Sequence, residues 1–300
     1  MALAPRTRPW HGIMVATALP LRDDLSVDHD AYAEHVAWLI ANGCDGVVPN
    51  GSLGEYQTLT DEERAEVVRT AVEAAGDGAR VMPGVSAYGS AQARRFADQA
   101  AEAGAGSVLL LPPNAYRADE RAVLAHYAEV ARCGLPVVAY NNPHDTRVDL
   151  TPALLARLHH EGSIVAVKEF SGDVRRAYEL AELAPSLDLL AGADDVLLEL
   201  AAAGAVGWIA GYPNALPATC ATLYHAAVTR DLQTALPLYS SLHSLLRWDT
   251  RTEFVQAIKL SMDLAGRRGG PCRPPRLPLE AEQEAAVRAA TEKALASGHM

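Results

Sequence analysis

The chain has 300 residues, of which 49% are hydrophobic and 21% are charged, and its formal net charge is −11. Such a chain can bury a sizeable core, and its length fits one large α/β domain or two smaller ones. An acidic balance without a basic stripe argues against nucleic acids and anionic membrane surfaces as partners.

Short apolar runs alternate with amphipathic patterns along the first three quarters of the chain. Strands are predicted at residues 13–18, 46–49, 80–83, 107–111, 136–140, 164–168, 187–191 and 206–210. Helices are predicted to follow them, starting near Asp28, Asp61, Ser90, Asp119, Thr151, Asp173, Val196 and Pro217.

Eight strand–helix units within about 230 residues predict an α/β fold, a TIM (β/α)₈ barrel with three extra C-terminal helices. A doubly wound sheet is the alternative, but such sheets usually carry a glycine-rich turn after the first strand, and residues 19–22 contain no glycine. The extra helices are expected at about 231–246, 252–264 and 279–296. We therefore expect a barrel over residues 1–230 and a helical extension over 231–300 that packs on it.

Helix-start chemistry is expected at two places along the barrel. Thr60 should cap the helix that begins at Asp61, with Glu63 completing a capping box. The Asp194–Asp195 pair is interpreted as an N-cap with acidic first-turn residues, in preference to a cation site.

Reactive groups of such barrels lie at the carboxyl ends of the strands, where three segments stand out. Residues 50–55 read Asn-Gly-Ser-Leu-Gly-Glu, in which two glycines allow backbone N–H groups to approach a carboxylate, although an ordinary turn explains the segment equally well. Tyr140 ends the fifth strand and could transfer a proton, but an isolated tyrosine there is more often a packed barrel residue.

Lys168 ends the sixth strand after Ile-Val-Ala-Val, which makes it the best nucleophile candidate in the chain. Desolvation disfavours an ammonium group and so exposes the neutral amine that attacks a carbonyl. A lysine that reaches outward to solvent is the alternative. The other two lysines, Lys259 and Lys293, fall on predicted C-terminal helices.

The sequence shows no cysteine or histidine spacing typical of a metal site or a redox motif. The cysteines Cys44, Cys133, Cys220 and Cys272 are scattered without zinc spacing, which indicates reduced thiols in a cytoplasmic protein. His159 and His160 lack a third ligand at suitable spacing. No apolar run reaches the roughly 18 residues of a membrane span. We predict no metal or other cofactor, no nucleic-acid partner and no membrane association.

The three strand-end segments, in this order on eight units, resemble the dihydrodipicolinate synthase / N-acetylneuraminate lyase family over nearly the whole chain. The resemblance implies a class I, metal-free Schiff-base lyase in which Lys168 forms an imine with C2 of a small 2-oxo acid. It implies catalytic roles for Lys168, Tyr140 and Ser52, and a homo-oligomer, commonly a tetramer. It further implies substrate-binding roles for Gly51, Ser52, Leu53, Asn142, Gly192 and Ile209.

Departures from the family pattern bear on the substrate. The synthases usually carry two threonines where this chain has Ser52 and Leu53, and an arginine at the position of Asp145, with Arg147 two residues further on. They also carry a tyrosine after the fourth strand, for which Tyr116 is a displaced candidate.

The closest pattern is that of the 1-pyrroline-4-hydroxy-2-carboxylate deaminases, with similar segments at 141–143, 207–211, 247–250 and 273–278. This pattern implies release of ammonia and formation of 2-oxoglutarate semialdehyde. The alternatives are a 4-hydroxy-tetrahydrodipicolinate synthase, another pyruvate-dependent aldolase of the family, a metal-dependent aldolase and a non-catalytic 2-oxo acid binding protein.

Overall fold

The computed structural model describes residues 8–296, which contain eight strands, twelve α-helices and three short 3₁₀ helices. The strands are β1 Gly12–Ala16, β2 Gly46–Val48, β3 Arg80–Val81, β4 Val108–Leu110, β5 Val137–Asn141, β6 Ala166–Glu169, β7 Asp188–Ala191 and β8 Gly207–Ala210. The helices are α1 His29–Ala41, α2 Asp61–Ala75, α3 Ser90–Glu102, α4 Glu120–Ala131, α5 Pro143–Thr146, α6 Pro152–His160, α7 Arg175–Leu183, α8 Leu197–Ala202, α9 Pro217–Thr229, α10 Leu232–Leu246, α11 Phe254–Leu264 and α12 Ala281–Ala296.

All eight strands are parallel and form one sheet in the order β3-β2-β1-β8-β7-β6-β5-β4. The two outer strands meet where Gly84, just after β3, pairs with Leu109 of β4. Backbone hydrogen bonds from Val85 N to Leu109 O and from Leu109 N to Pro83 O hold this seam. The predicted TIM barrel is therefore confirmed. In the part of the chain described, no helix combines the length and apolar character needed to cross a membrane.

The boundaries of the elements follow the local chemistry of the sequence. Thr60 accepts from Glu63 N while the Glu63 side chain accepts from Thr60 N, so the predicted capping box is confirmed. The acidic first turn expected for the Asp194–Asp195 pair is confirmed, since both residues lie in a short 3₁₀ helix, Asp194–Val196, but the expected N-cap is wrong. Ala193 occupies the cap position, and the Asp194 carboxylate instead accepts hydrogen bonds from Trp208 and the backbone beyond β8.

One short helix was not predicted from the sequence. α5 begins directly after β5, where the Asn142 side chain accepts a hydrogen bond from Asp145 N and Pro143 occupies the first helical position. Proline is well suited to that position because its missing N–H would have no intrahelical partner. The Asn-Pro-x-Asp sequence thus contains residues that favour the start of a helix. The helix itself has only four residues, which are too few to show a helical period in the sequence.

The three C-terminal helices share the buried core of the barrel. Val255 and Met262 of α11 and Val287 of α12 are fully buried in the same apolar cluster as the strands. Ser261 and Thr291 join α11 to α12 through a buried hydroxyl hydrogen bond of 2.8 Å. The three predicted helices and their packing on the barrel are present, while the division of domains at residue 230 stays a prediction.

A buried ion pair links the C-terminal region to the second strand end. Lys259 Nζ of α11 lies 2.7 Å from Glu55 Oε1, and the two side chains are 2% and 1% exposed. Arg273 N donates to the other Glu55 oxygen at 2.8 Å, and Lys259 also donates to Pro271 O. Hydrogen bonds on both oxygens and on the amine compensate the charges for their lost hydration.

Lys259→Met is therefore expected to destabilise the protein by about 3–5 kcal/mol, because it leaves the Glu55 carboxylate buried without its partner. Equilibrium unfolding in urea measures the change. Arg288→Met is the matched control, since it breaks an exposed pair with Glu284 on α12 and should cost less than about 1 kcal/mol. Equal effects of the two substitutions would contradict this account of the buried pair.

Candidate active site

A cavity of about 560 Å³ opens at the carboxyl ends of the strands. It collects side chains and backbone from β1, β2, β5, β6 and from the segment between α10 and α11. Six of the residues predicted from the sequence line it together: Gly51, Ser52, Leu53, Tyr140, Asn142 and Lys168.

Tyr140 and Lys168 face the cavity as neighbours because they are register partners on adjacent parallel strands. Partners in register project from the same face of the sheet. The Lys168 amine lies 4.3 Å from the centre of the Tyr140 ring and 5.5 Å from that of Phe170. The sequence predicted both strand ends, and the pairing of β5 with β6 brings them into contact.

The Lys168 amine is buried, with 6% of the residue exposed, and no carboxylate among residues 8–296 lies within salt-bridge distance of it. Burial lowers the pKa of Lys168, and the negative charges of Asp249 and Asp194 oppose that effect. The outward-pointing alternative is thus excluded. A neutral amine, the form that attacks a carbonyl, is favoured here.

The loop of residues 50–55 presents free backbone donors to the cavity. The N–H groups of Ser52 and Leu53 donate to no acceptor within residues 8–296, and Ser52 lies at the cavity wall. Glu55, in the left-handed region at φ 54°, turns its side chain away toward Lys259. Two unpaired N–H groups beside a small hydroxyl suit a carboxylate.

Tyr140 is 6% exposed, and its hydroxyl accepts a long hydrogen bond of 3.4 Å from Asn142 Nδ2. Burial raises the pKa of Tyr140 well above its ordinary value, and the charge of Asp249 acts in the same direction. The phenol therefore keeps its proton near neutral pH, which suits a hydrogen-bond donor better than a base.

Two predicted binding residues lie behind the cavity surface. Gly192 packs against the Lys168 stem, where an added Cβ would come 3.0 Å from Lys168 Cγ and 2.4 Å from Glu169 O. Ile209 is buried in β8 beside Met14 of β1. Neither lines the cavity, and their contact with substrate stays a prediction.

The residues that depart from the family pattern are divided between the cavity and the surface. Asp145 and Arg147 both line the cavity mouth. Tyr116 is 62% exposed and is not part of the lining, so within this chain it does not meet Tyr140.

Sequence reasoning missed several lining residues, of which Asp249 is the most important because its carboxyl group is buried and faces the same cavity as Lys168. The sequence feature that could have indicated Asp249 is an acidic residue shortly after the end of an apolar helix, in the segment Leu-Leu-Arg-Trp-Asp at residues 245–249. Phe170, Asn114, Arg251 and Arg276 were also missed. Residues 8–296 hold no group of three His, Cys, Asp or Glu side chains arranged to bind a metal ion.

Comparison with known proteins identifies the relatives of this chain. The profile described as "Dihydrodipicolinate synthetase family" matches residues 9–294. The 4-hydroxy-tetrahydrodipicolinate synthase of Acidothermus cellulolyticus is 34% identical over 291 residues, covering 96% of this chain and 94% of the relative. The synthase of the same name from Methanothrix thermoacetophila is 32% identical over 282 residues, covering 93% and 95%.

A solved structure supports the same relationship. The E. coli K12 prophage protein of the dihydrodipicolinic acid synthase family, in complex with pyruvate, superposes with a TM-score of 0.89 at 26% identity, covering 95% of this chain and 98% of that one.

Acylation by a small amine-specific reagent should reach Lys168 at lower pH than Lys293, which is exposed on α12. A lowered pKa gives Lys168 a larger neutral fraction at any given pH. Peptide mapping by mass spectrometry across a neutral-to-alkaline series gives the pH of half-modification for each lysine. A value for Lys168 equal to or above that of Lys293 would contradict the proposed desolvation.

Proposed function

The chain belongs to the dihydrodipicolinate synthetase family of class I lyases, and we propose that its Lys168 forms a Schiff base with the carbonyl of a small 2-oxo acid. The observation that carries this proposal is a buried amine without a salt bridge on the wall of the strand-end cavity. Imine formation turns C2 of the substrate into an electron sink, so that a proton or substituent at C3 can leave.

The surroundings of Lys168 suit one particular orientation of a 2-oxo acid. The N–H groups of Ser52 and Leu53 would hold the carboxylate, which places the adjacent carbonyl toward the amine. Tyr140 would donate a hydrogen bond to the oxygen at C2 of the substrate while the amine adds to that carbon. The pyruvate complex of the E. coli relative supports a ligand of this class.

At the level of the substrate, we propose deamination of ring-opened 1-pyrroline-4-hydroxy-2-carboxylate, an amino 2-oxo acid. After the imine forms, a C3 proton and the 4-hydroxyl leave as water, which gives a C3=C4 double bond. A proton shift from C5 to C3 and tautomerisation of the resulting enamine then convert the C5 amine into an imine. Hydrolysis at C5 releases ammonia, and hydrolysis of the C2 imine frees 2-oxoglutarate semialdehyde from Lys168. The carboxyl group of Asp145, which lines the cavity, suits an amine at the far end of the substrate.

The second candidate is 4-hydroxy-tetrahydrodipicolinate synthase. The names of the relatives from Acidothermus and Methanothrix favour it over the deaminase, for which the comparisons give no support. Arg147, Arg251 and Arg276 also line the cavity and could meet the carboxylate of a second substrate. The position of Asp145 remains the departure that this candidate must accommodate.

Borohydride reduction in the presence of pyruvate is expected to add the mass of one reduced pyruvate to the peptide that contains Lys168. Lys168→Met should abolish the adduct, whereas Lys293→Met should leave it unchanged, because only Lys168 faces the cavity. Intact-mass and peptide mass spectrometry provide the measurement. A folded wild-type protein without an adduct on Lys168 would remove the proposed reaction.

Turnover of a substrate panel decides between the two candidates. The deaminase should release ammonia from the hydroxypyrroline carboxylate and remain inactive with pyruvate plus aspartate semialdehyde. Activity with pyruvate plus aspartate semialdehyde, and no ammonia from the hydroxypyrroline carboxylate, would support the synthase and contradict the deaminase. Each assay is repeated with EDTA, since a class I mechanism keeps its activity when metals are chelated, whereas a metal-dependent aldolase loses it.

A further inference from the structure

Two buried carboxyl groups beside Lys168 have no role in the chemistry described so far. Asp194 is fully buried and Asp249 is 8% exposed. Neither forms a salt bridge with a lysine, arginine or histidine of residues 8–296. The backbone N–H of Asp194 donates to Asp249 Oδ2 at 3.3 Å. The two carboxyl groups also flank Gly211, where an added Cβ would lie 2.7 Å from Asp249 Oδ1 and 3.6 Å from Asp194 Oδ2. Neighbouring carboxyl groups in a low-dielectric site do not readily both ionise, so the pair tends to hold one proton.

The hydrogen bonds of Asp194 favour its charged form. Trp208 Nε1 donates to its Oδ1 at 3.0 Å, and the backbone N–H groups of Gly211 and Tyr212 donate to its Oδ2 at 3.1 and 3.0 Å. Every one of these partners is an N–H donor, which stabilises an anion and offers nothing to a protonated carboxyl. Burial and the neighbouring carboxylate raise the pKa of Asp194, but its donors place the shared proton elsewhere.

Asp249 is the better place for that proton. It accepts one long N–H hydrogen bond on Oδ2, while Oδ1 lies beside Gly211, where an added Cβ would come within 2.7 Å of it. Its carboxyl group lines the same cavity as the Lys168 amine. Burial raises the pKa of Asp249 to about 6, against the opposing charge of Lys168. An acid–base group works best when its pKa is near the working pH.

We propose that Asp249 is a further catalytic residue, the acid–base group that takes the proton from the Lys168 ammonium and returns it to the hydroxyl that leaves during imine formation. This inference rests on the proposed function of Lys168. It assigns the base role to a group other than Tyr140, whose buried phenol keeps its proton.

The proton balance closes over one cycle of imine formation. The Asp249 carboxylate accepts a proton from the ammonium, which leaves a neutral amine and a carboxylic acid. The amine adds to C2 of the 2-oxo acid, and proton transfer within the adduct gives a carbinolamine. Asp249 then protonates the carbinolamine hydroxyl, which departs as water, and the nitrogen lone pair forms the C=N bond of the iminium. No direct hydrogen bond joins Asp249 to Lys168, so we propose that the first transfer runs through water in the cavity that both residues line.

The electrostatic surroundings of Asp249 come from several elements. The groups that influence its charge or are influenced by it are Lys168 of β6, Tyr140 of β5, Asp194 and Asp195 before α8, and Tyr212 after β8. Lys168 is the one cation in this set, so removing the Asp249 charge must lower the pKa of Lys168 further. A substitution of Asp249 therefore removes the proton carrier and also raises the fraction of neutral Lys168 amine. At low pH the first effect slows imine formation, whereas the second speeds it.

Rapid-quench borohydride trapping with pyruvate separates these effects. Asp249→Asn is expected to slow imine formation by about 100-fold or more at every pH, while the pH at which the rate is half-maximal moves downward. If Asp249 only tuned the charge of Lys168, the same substitution would speed imine formation at low pH. An imine-formation rate within about threefold of wild type would overturn the proposal.

Asp188→Asn is the matched control, because it removes a half-buried carboxyl at the start of β7 that does not line the cavity. Its rate should stay close to that of wild type. Asp249→Ala offers a second measurement, since formate can enter the vacated space and act as the missing acid. Acceleration by formate supports the proposal, and a folded but slow Asp249→Ala that ignores formate would overturn it.

Different outcomes test the Schiff base on Lys168 and the role of Asp249. If wild-type protein forms no adduct on Lys168, the proposed function itself is lost. If wild type forms the adduct and Asp249→Asn forms it at the same rate, only the role of Asp249 is lost. Thermal unfolding of each variant shows whether its fold is intact.

Discussion

A lysine amine held inside a closed barrel loses the water that stabilises its charge, and the rest of this active site is arranged around that loss. The strand that carries Lys168 is apolar up to that residue, and its neighbours in register are Tyr140 and Leu190. The aromatic faces of Tyr140 and Phe170 attract the ammonium form, whereas burial favours the neutral form. Such a balance leaves both forms within reach, which a group that must first bind and then release a proton requires.

The C-terminal helices contribute to the site as well as to the core. The buried pair of Lys259 and Glu55 fixes the end of the loop that lines the cavity with Ser52 and Leu53, and Arg273 N completes the carboxylate's hydrogen bonds. The segment between α10 and α11 delivers Asp249 to the mouth of the barrel. Helices that follow the eighth unit of the barrel thus complete the cavity that the barrel begins.

The family and the substrate are established to different degrees. The profile match, the relatives and the solved structures agree on the family and hence on lyase chemistry. Asp145 and Arg147, which carry opposite charges, both line the cavity, and we expect residues of this kind to determine the choice of substrate. In enzymes that share one fold, such positions vary independently of the barrel.

The sequence by itself determined the alternation of strands and helices, the barrel, and the placement of Lys168 and Tyr140 at successive strand ends. These are local properties, because strand length, apolar character and helix-start residues are read within a few positions of one another. The short helix α5 was not predicted because four residues are too few to show the helical period of apolar residues.

Tertiary structure alone decided which distant residues meet at the site. Asp194 touches Asp249 across 55 residues, and Glu55 meets Lys259 across 204. The mistaken N-cap interpretation of Asp194 has the same origin, since its carboxylate found donors beyond β8 and not in its own helix. Contacts of this kind depend on how the sheet closes and on where the last helices pack, and the spacing of residues along the chain carries no record of either.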